Sequence, residues 1–220
     1  MPRAAVIAAP GGPVEVREFP TPDLEPGAVL LDTLCSEVCG TDVHLLHGRL
    51  SGVPYPLIPG HISVGRVAEV AGEVTDVDGV AVRSGDVVTF LDVHGTCHDC
   101  WYCLVAKAST RCPARKVYGI TYGAEDGLCG GWSEQIYLKP GVKIVPLPDA
   151  LDARTYIAGG CALPTALHAV DRAEIRLGDA VAVQGSGPVG LMAAALARLS
   201  GAGQVIVLGA PPHRLEVAQA

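Results

Sequence analysis

The chain has 220 residues, a formal net charge of −7 and 49% hydrophobic residues, enough apolar material for one large core or two modest ones. Its acidic balance, with no basic block or stripe, excludes a nucleic-acid partner that binds by displacing counterions from phosphates, so a small-molecule ligand is expected. Its mean hydropathy of +0.34 is high, but the most apolar stretch, VAVQGSGPVGLMAAALARLSGAGQVIVLGA, is interrupted by glycines and carries Arg198, so it fails as a membrane span of about 20 residues.

The first residues, MPRAAVIAAPGG, hold one arginine and an apolar run too short for a secretion signal, which leaves the cytoplasm as the expected compartment. From Met1 to Pro148 short β-type runs follow one another: VEVREF, AVLLDTLC, ISVGRVAEV, DVVTFLDV, WSEQIYL and KIVPLP. PGG, EPG and KPG supply the reversals between them. From Asp149 onward alanine-rich helical stretches alternate with two buried strands, VAVQG and QVIVLG. The expected organisation is therefore an all-β domain over residues 1–148 and the start of a parallel α/β domain over residues 149–220. A single βαβ unit should leave both faces of a very short sheet uncovered, so either the chain is a fragment or a partner completes the sheet.

Eight cysteines in a reducing compartment point to metal rather than to disulfides. Four of them, Cys97, Cys100, Cys103 and Cys112, follow the pattern Cys-x2-Cys-x2-Cys-x8-Cys, and four thiolates in so compact a loop suit a closed, structural tetrahedral zinc site. A catalytic zinc needs three protein ligands and an open position. Cys39 in CGTDVHLLHG, His61 in PGH and Cys161 in GGCALPT are the candidates, although a lone cysteine is more often a small core residue and a lone histidine a hydrogen-bonded one.

QGSGPVG sets Gly185, Gly187 and Gly190 directly after the strand VAVQ, where they open the helix that begins at Pro188 and Val189. The helix N-terminus there offers unpaired N–H groups to a pyrophosphate, which predicts dinucleotide binding. The next strand ends at Gly209, where that fingerprint calls for an acid to hold the ribose. Without the carboxylate a 2′-phosphate meets no repulsion, and His213 and Arg214 are placed to contact one; this favours NADP without excluding NAD.

The order CGTDVH, PGH, cysteine lobe, GGC, GSGPVG resembles that of the zinc-dependent medium-chain alcohol dehydrogenase family, over essentially the whole chain. The resemblance implies a fold of mixed α+β and α/β class, a GroES-like β domain followed by a truncated doubly wound Rossmann domain. It implies one catalytic zinc on Cys39, His61 and Cys161, one structural zinc on the four-cysteine lobe, and NAD or NADP as hydride carrier. Thr41 would hydrogen-bond the oxygen of a small alcohol or carbonyl substrate, Asp42 would lie near the zinc, His44 would relay a proton, and Thr165 would line the nicotinamide. Homodimers or homotetramers are the assemblies it implies.

Three departures from the family pattern stand out. Ile62 follows His61 where the family has a glutamate behind the zinc, the fourth lobe cysteine comes one residue late, and a family chain is longer, its remainder completing both the sheet and the β domain. A rival reading follows from the first: a non-catalytic zinc- and nucleotide-binding protein with a dehydrogenase-like shell. Cys35 is expected in the core and Cys129 exposed on a glycine-rich turn, while His47, His94, His98 and His168 have no expected role.

Overall fold

A computed structural model of the chain describes residues 1–219. The chain divides into two compact units, Met1–Ile157 and Ala158–Ala220.

The first unit is built on antiparallel strands. β1 (Arg3–Ile7) pairs with β2 (Val14–Glu18), and β3 (Val29–Ser36), β4 (Ser63–Val70), β5 (Val87–Phe90), β8 (Gln135–Leu138) and β9 (Ile144–Pro146) form a five-stranded sheet in the order β8-β3-β4-β5-β9. β6 (Val93–His94) and β7 (Lys116–Val117) make a separate two-residue ribbon. DVVTFLDV, expected as one strand, divides into β5 and β6 because the chain turns outward at Leu91, which is exposed. β1 was not among the expected strands; its small alanines mute the alternation, yet Ala4 and Val6 face the interior.

Inward-facing strand residues Val6, Leu31, Ile136 and Leu138, joined by Tyr118 and Leu128 from the connecting turns, build one continuous core, each fully or almost fully buried. A smaller cluster of Ile7, Leu45 and Leu57 lies beneath the short helix α1 (Gly40–Leu46). The only other regular helix of this unit before residue 150 is α2 (Trp101–Leu104), among the described residues.

The second unit begins within α3 (Ala153–Gly159) and continues through α4 (Ala162–Ala173), β10 (Ala180–Gln184), α5 (Pro188–Leu199), β11 (Gln204–Leu208) and α6 (Pro212–Val217). β10 and β11 run parallel, from Ala180 opposite Gln204 to Gln184 opposite Leu208. α5 connects them and packs on one face of the pair, so only the other face is open, rather than both. Ile206 and Leu208 lie exposed on it. No helix among the described residues is long and apolar enough to cross a membrane.

Candidate metal centres and cofactor turn

CGTDVHLL forms a helix from its second residue, with Cys39 as the N-cap. The Cys39 thiol sulfur accepts from the Thr41 N–H at 3.2 Å, and the Asp42 carboxylate accepts from the Cys39 N–H at 2.8 Å, a reciprocal cap in which sulfur takes the place usually held by a hydroxyl. Leu45, on the face of α1 that meets Ile7 and Leu57, is fully buried, and its carbonyl accepts from the Tyr55 hydroxyl. Burial of one leucine contributes about 2 kcal/mol, and here it fixes how Cys39 is presented. Thr41 and His44 are three residues apart on this helix and so share a side, with His44 exposed.

His61 is 6% exposed and lies two residues before β4. The loop reaches it through Gly60 at φ +92°, where an added Cβ would fall 2.6 Å from Trp132 Cδ1, so both the turn and the packing demand glycine. His61 Nε2 stands 3.7 Å from Cys39 Sγ. A tetrahedral zinc with bonds near 2.3 Å to sulfur and 2.0 Å to nitrogen separates two such donors by about 3.5 Å. His61 Nδ1 and Asp42 Oδ1 are both buried with no hydrogen-bond partner among the described residues.

A further donor lies here that sequence reasoning missed. Glu37 offers a carboxylate oxygen within 4.8 Å of the donor atoms of Cys39 and His61. Its position two residues before Cys39, at the end of a strand, was the available signal, but strand alternation alone gave no reason to aim it inward. Asp92 is partly buried, and burial pushes its carboxyl above the usual carboxylate range, with the charge of His61 pulling it back down. Cys161 lies in the second unit, immediately before α4.

The four lobe cysteines converge. Sγ–Sγ distances are 3.4 Å for Cys112–Cys97, 3.6 Å for Cys100–Cys103 and 4.0 Å for Cys97–Cys103, bracketing the roughly 3.8 Å edge of a zinc–thiolate tetrahedron. Backbone N–H groups aim at the sulfurs: Asp99 and Cys100 donate to Cys97 at 3.4 and 3.3 Å, and Cys97 donates to Cys112 at 3.4 Å. That last bond pulls the Cys112 thiol down to about 6, whereas burial pushes Cys103 up. Around these sulfurs Trp101, Leu104 and Val105 are exposed, so residues 97–112 have almost no apolar core of their own. The late fourth cysteine is absorbed by a short 3-10 turn at Ser109–Arg111.

In the second unit Gly185 has φ +116° and ends β10, while Gly187 caps α5, with Pro188 in its first turn and Val189 exposed. A Cβ on Gly187 would meet nothing within 4 Å, leaving the helix N-terminus open to a ligand, but one on Gly190 would fall 1.9 Å from the Gly185 carbonyl oxygen. Gly209 explains its own identity. A Cβ there would lie 2.3 Å from Ser186 Oγ, so a larger residue at the end of β11 would collide with the turn. His213 and Arg214 are exposed on α6, and the Thr165 hydroxyl donates to the Cys161 carbonyl within α4 at 2.6 Å.

Two expectations about the remaining cysteines are overturned. Cys129 is 2% exposed because the glycine-rich turn folds inward and its thiol donates to the Asp126 carbonyl; Cys35 is only partly buried, with its thiol 3.5 Å from the Ala153 carbonyl. None of the eight cysteines forms a disulfide among the described residues. His94, which had no expected role, accepts from the Tyr122 hydroxyl at 2.7 Å if its other nitrogen donates to the Pro140 carbonyl at 3.1 Å, a structural arrangement. His47, His98 and His168 are exposed.

Residues 25–149 match the alcohol dehydrogenase GroES-like domain family. The 5-exo-hydroxycamphor dehydrogenase of Pseudomonas putida is 36% identical over 219 residues, covering 99% of this chain and 59% of that protein. Among solved structures, an alcohol dehydrogenase from Thermotoga maritima superposes with a TM-score of 0.94 at 37% identity, covering 99% of this chain and 60% of that one. A zinc-binding dehydrogenase from Sinorhizobium meliloti, bound to NADP, gives a TM-score of 0.84 at 28% identity over 100% of this chain and 59% of that one. Other relatives are alcohol, L-threonine and D-arabinitol dehydrogenases. The chain spans about three fifths of the length of the relatives it matches.

Proposed function

This chain belongs to the zinc-dependent medium-chain alcohol dehydrogenase family, and we propose that it carries the metal and nicotinamide sites of an oxidoreductase that moves a hydride between an alcohol or polyol, or its carbonyl, and NAD or NADP. The observation that carries this reading is the pair of Cys39 Sγ and His61 Nε2 at 3.7 Å, a thiol and a buried imidazole spaced as donors to one ion.

In this reading Cys39 and His61 hold the catalytic zinc, with Cys161 as the third ligand that the family pattern implies, and Cys97, Cys100, Cys103 and Cys112 hold a second, structural zinc that staples the lobe. When bound, zinc supplies Lewis acidity to the substrate oxygen, and the nicotinamide accepts the hydride. The chain's own groups do the rest. The Thr41 hydroxyl orients the substrate oxygen and accepts its proton in exchange for its own, which passes to His44 on the same side of α1 and from there to water. Asp42 keeps the capped turn in place.

Gly185, Gly187, Pro188, Val189 and Gly190 cradle the pyrophosphate, Gly209 and Arg214 flank the adenosine ribose, and Thr165 lines the nicotinamide side. With no carboxylate at Gly209, NADP is accepted at least as readily as NAD. The substrate is a small molecule, and the assembly of a full-length chain a homodimer or homotetramer. The compartment is the reducing cytoplasm, where eight thiols persist. A panel of alcohols, polyols and their carbonyls, run with each cofactor, tests this. Turnover that depends on zinc and on either nucleotide supports the proposal, while cofactor binding without turnover on any substrate favours the non-catalytic reading.

A further inference from the structure

We infer that Glu37 supplies a carboxylate donor to the metal held by Cys39 and His61. This rests on the metal site proposed above and deepens it. Three observations lead there. The Glu37 carboxylate lies within 4.8 Å of both Cys39 Sγ and the His61 ring nitrogen, close enough for one ion to touch all three after small rotamer adjustments.

Both backbone groups of Glu37 are also pinned. Its N–H donates to the Ile62 carbonyl at 3.0 Å, and its carbonyl accepts from the Trp132 indole N–H at 3.0 Å, so the root of the side chain is fixed relative to the loop bearing His61. Finally, Ile62 offers no donor itself, yet the Glu37–Ile62 bond continues the β3–β4 ladder one step beyond the Ser36–Ser63 pair. Positions 37 and 62 are cross-strand neighbours, and the ladder carries its carboxylate on the first of them.

The consequence is a donor set of mixed hardness. A carboxylate is a harder and more readily exchanged ligand for zinc than a thiolate, so an incoming oxygen or nitrogen ligand competes with Glu37 for its position rather than with Cys39 or His61. Glu37 thereby governs access to the ion.

The test is cobalt(II) substitution of the purified protein and of Glu37→Gln, Glu37→Ala, Cys39→Ser and the double variant Glu37→Ala/Ile62→Glu. Subtracting the Cys39→Ser spectrum removes the absorption of the four-thiolate lobe. The expected results are shifted visible d–d bands in both Glu37 variants, imidazole binding tightened about 10-fold by vacating the position, and recovery of the wild-type bands when Ile62→Glu restores an acid across the ladder. Glu37 variants with wild-type bands and wild-type imidazole affinity, while Cys39→Ser loses one cobalt, would overturn the role of Glu37 and leave the metal site standing. A wild-type protein that binds only one cobalt, unchanged by Cys39→Ser, would overturn both.

Discussion

The Asp42 carboxylate accepts the backbone N–H of Cys39 at 2.8 Å, tying an acid that is 2% exposed to the thiol that faces His61 within one turn of α1. Its second oxygen has no partner among the described residues. Asp42→Ala removes the cap, at about 1 kcal/mol, and weakens zinc binding at Cys39–His61 about 10-fold or more. Asp42→Asn, whose amide oxygen can still accept the Cys39 N–H, keeps most of the stability. Urea unfolding with parallel zinc titration checks this, and equal behaviour of the two variants would refute it.

Leu45 holds α1 to Ile7 and Leu57 with no exposure of its side chain. Leu45→Ala is expected to destabilise the first unit by about 2–5 kcal/mol, through lost burial and the cavity left behind. Because α1 carries Cys39, this variant should shed the zinc at Cys39–His61 while the separate four-cysteine lobe retains its own. Elemental analysis alongside denaturation would show it.

Metal removal should be selective in its damage. Residues 97–112 bury almost nothing except Cys112, so the thiolate–metal bonds substitute for a hydrophobic core, whereas Leu31, Ile136 and Leu138 hold the large sheet without metal. Hydrogen exchange after chelation is predicted to collapse protection across the lobe and to leave the strands β3 and β8 protected. Unchanged lobe protection would show that the metal is not its staple.

Much of this was legible in the sequence. The lobe's spacing and the strand–turn–helix of GSGPVG each force a local geometry, and both appear as expected. Glu37 was not legible, because its relevance comes from β3 and β4 being neighbours, a long-range pairing that no local pattern encodes. Likewise the burial of Cys129 depends on the chain folding back onto Tyr118 and Tyr122, which the glycines around it disguised as a surface turn. The absence of an acid at Gly209 was read as cofactor preference; the structure adds a steric cause, the Ser186 side chain 2.3 Å from where a Cβ would sit.

That steric cause gives a mutational prediction. Gly209→Asp should not simply convert the turn to NAD recognition; overpacking against Ser186 should lower stability by about 1–3 kcal/mol. Pairing it with Ser186→Gly should recover part of that loss, since the Ser186 backbone nitrogen, 2.8 Å from the Cβ position, remains. Thermal melts of the two variants decide the point, and a fully stable single variant would contradict it.

Alkaline pH should act through the buried core. Burial pushes the Cys129 thiol up to about 12 from about 9, Tyr137 up to about 12 from about 10, and Tyr118 and Tyr122 upward as well. Folded values raised above unfolded ones mean that this stability is fully present below about pH 9 and is lost as pH rises towards 12. Melting temperature is therefore expected to be flat near neutrality and to fall across that window. Cys129→Ala should delay the onset, since the lowest of these ordinary values belongs to the thiol.

The most direct test of the central claim is the zinc content of the purified protein after extensive dialysis without chelator. Two zincs per chain, falling to one in Cys39→Ser and to one in a Cys97→Ser/Cys112→Ser variant, is the predicted result. A single zinc that survives Cys39→Ser and is lost with the lobe cysteines would contradict it.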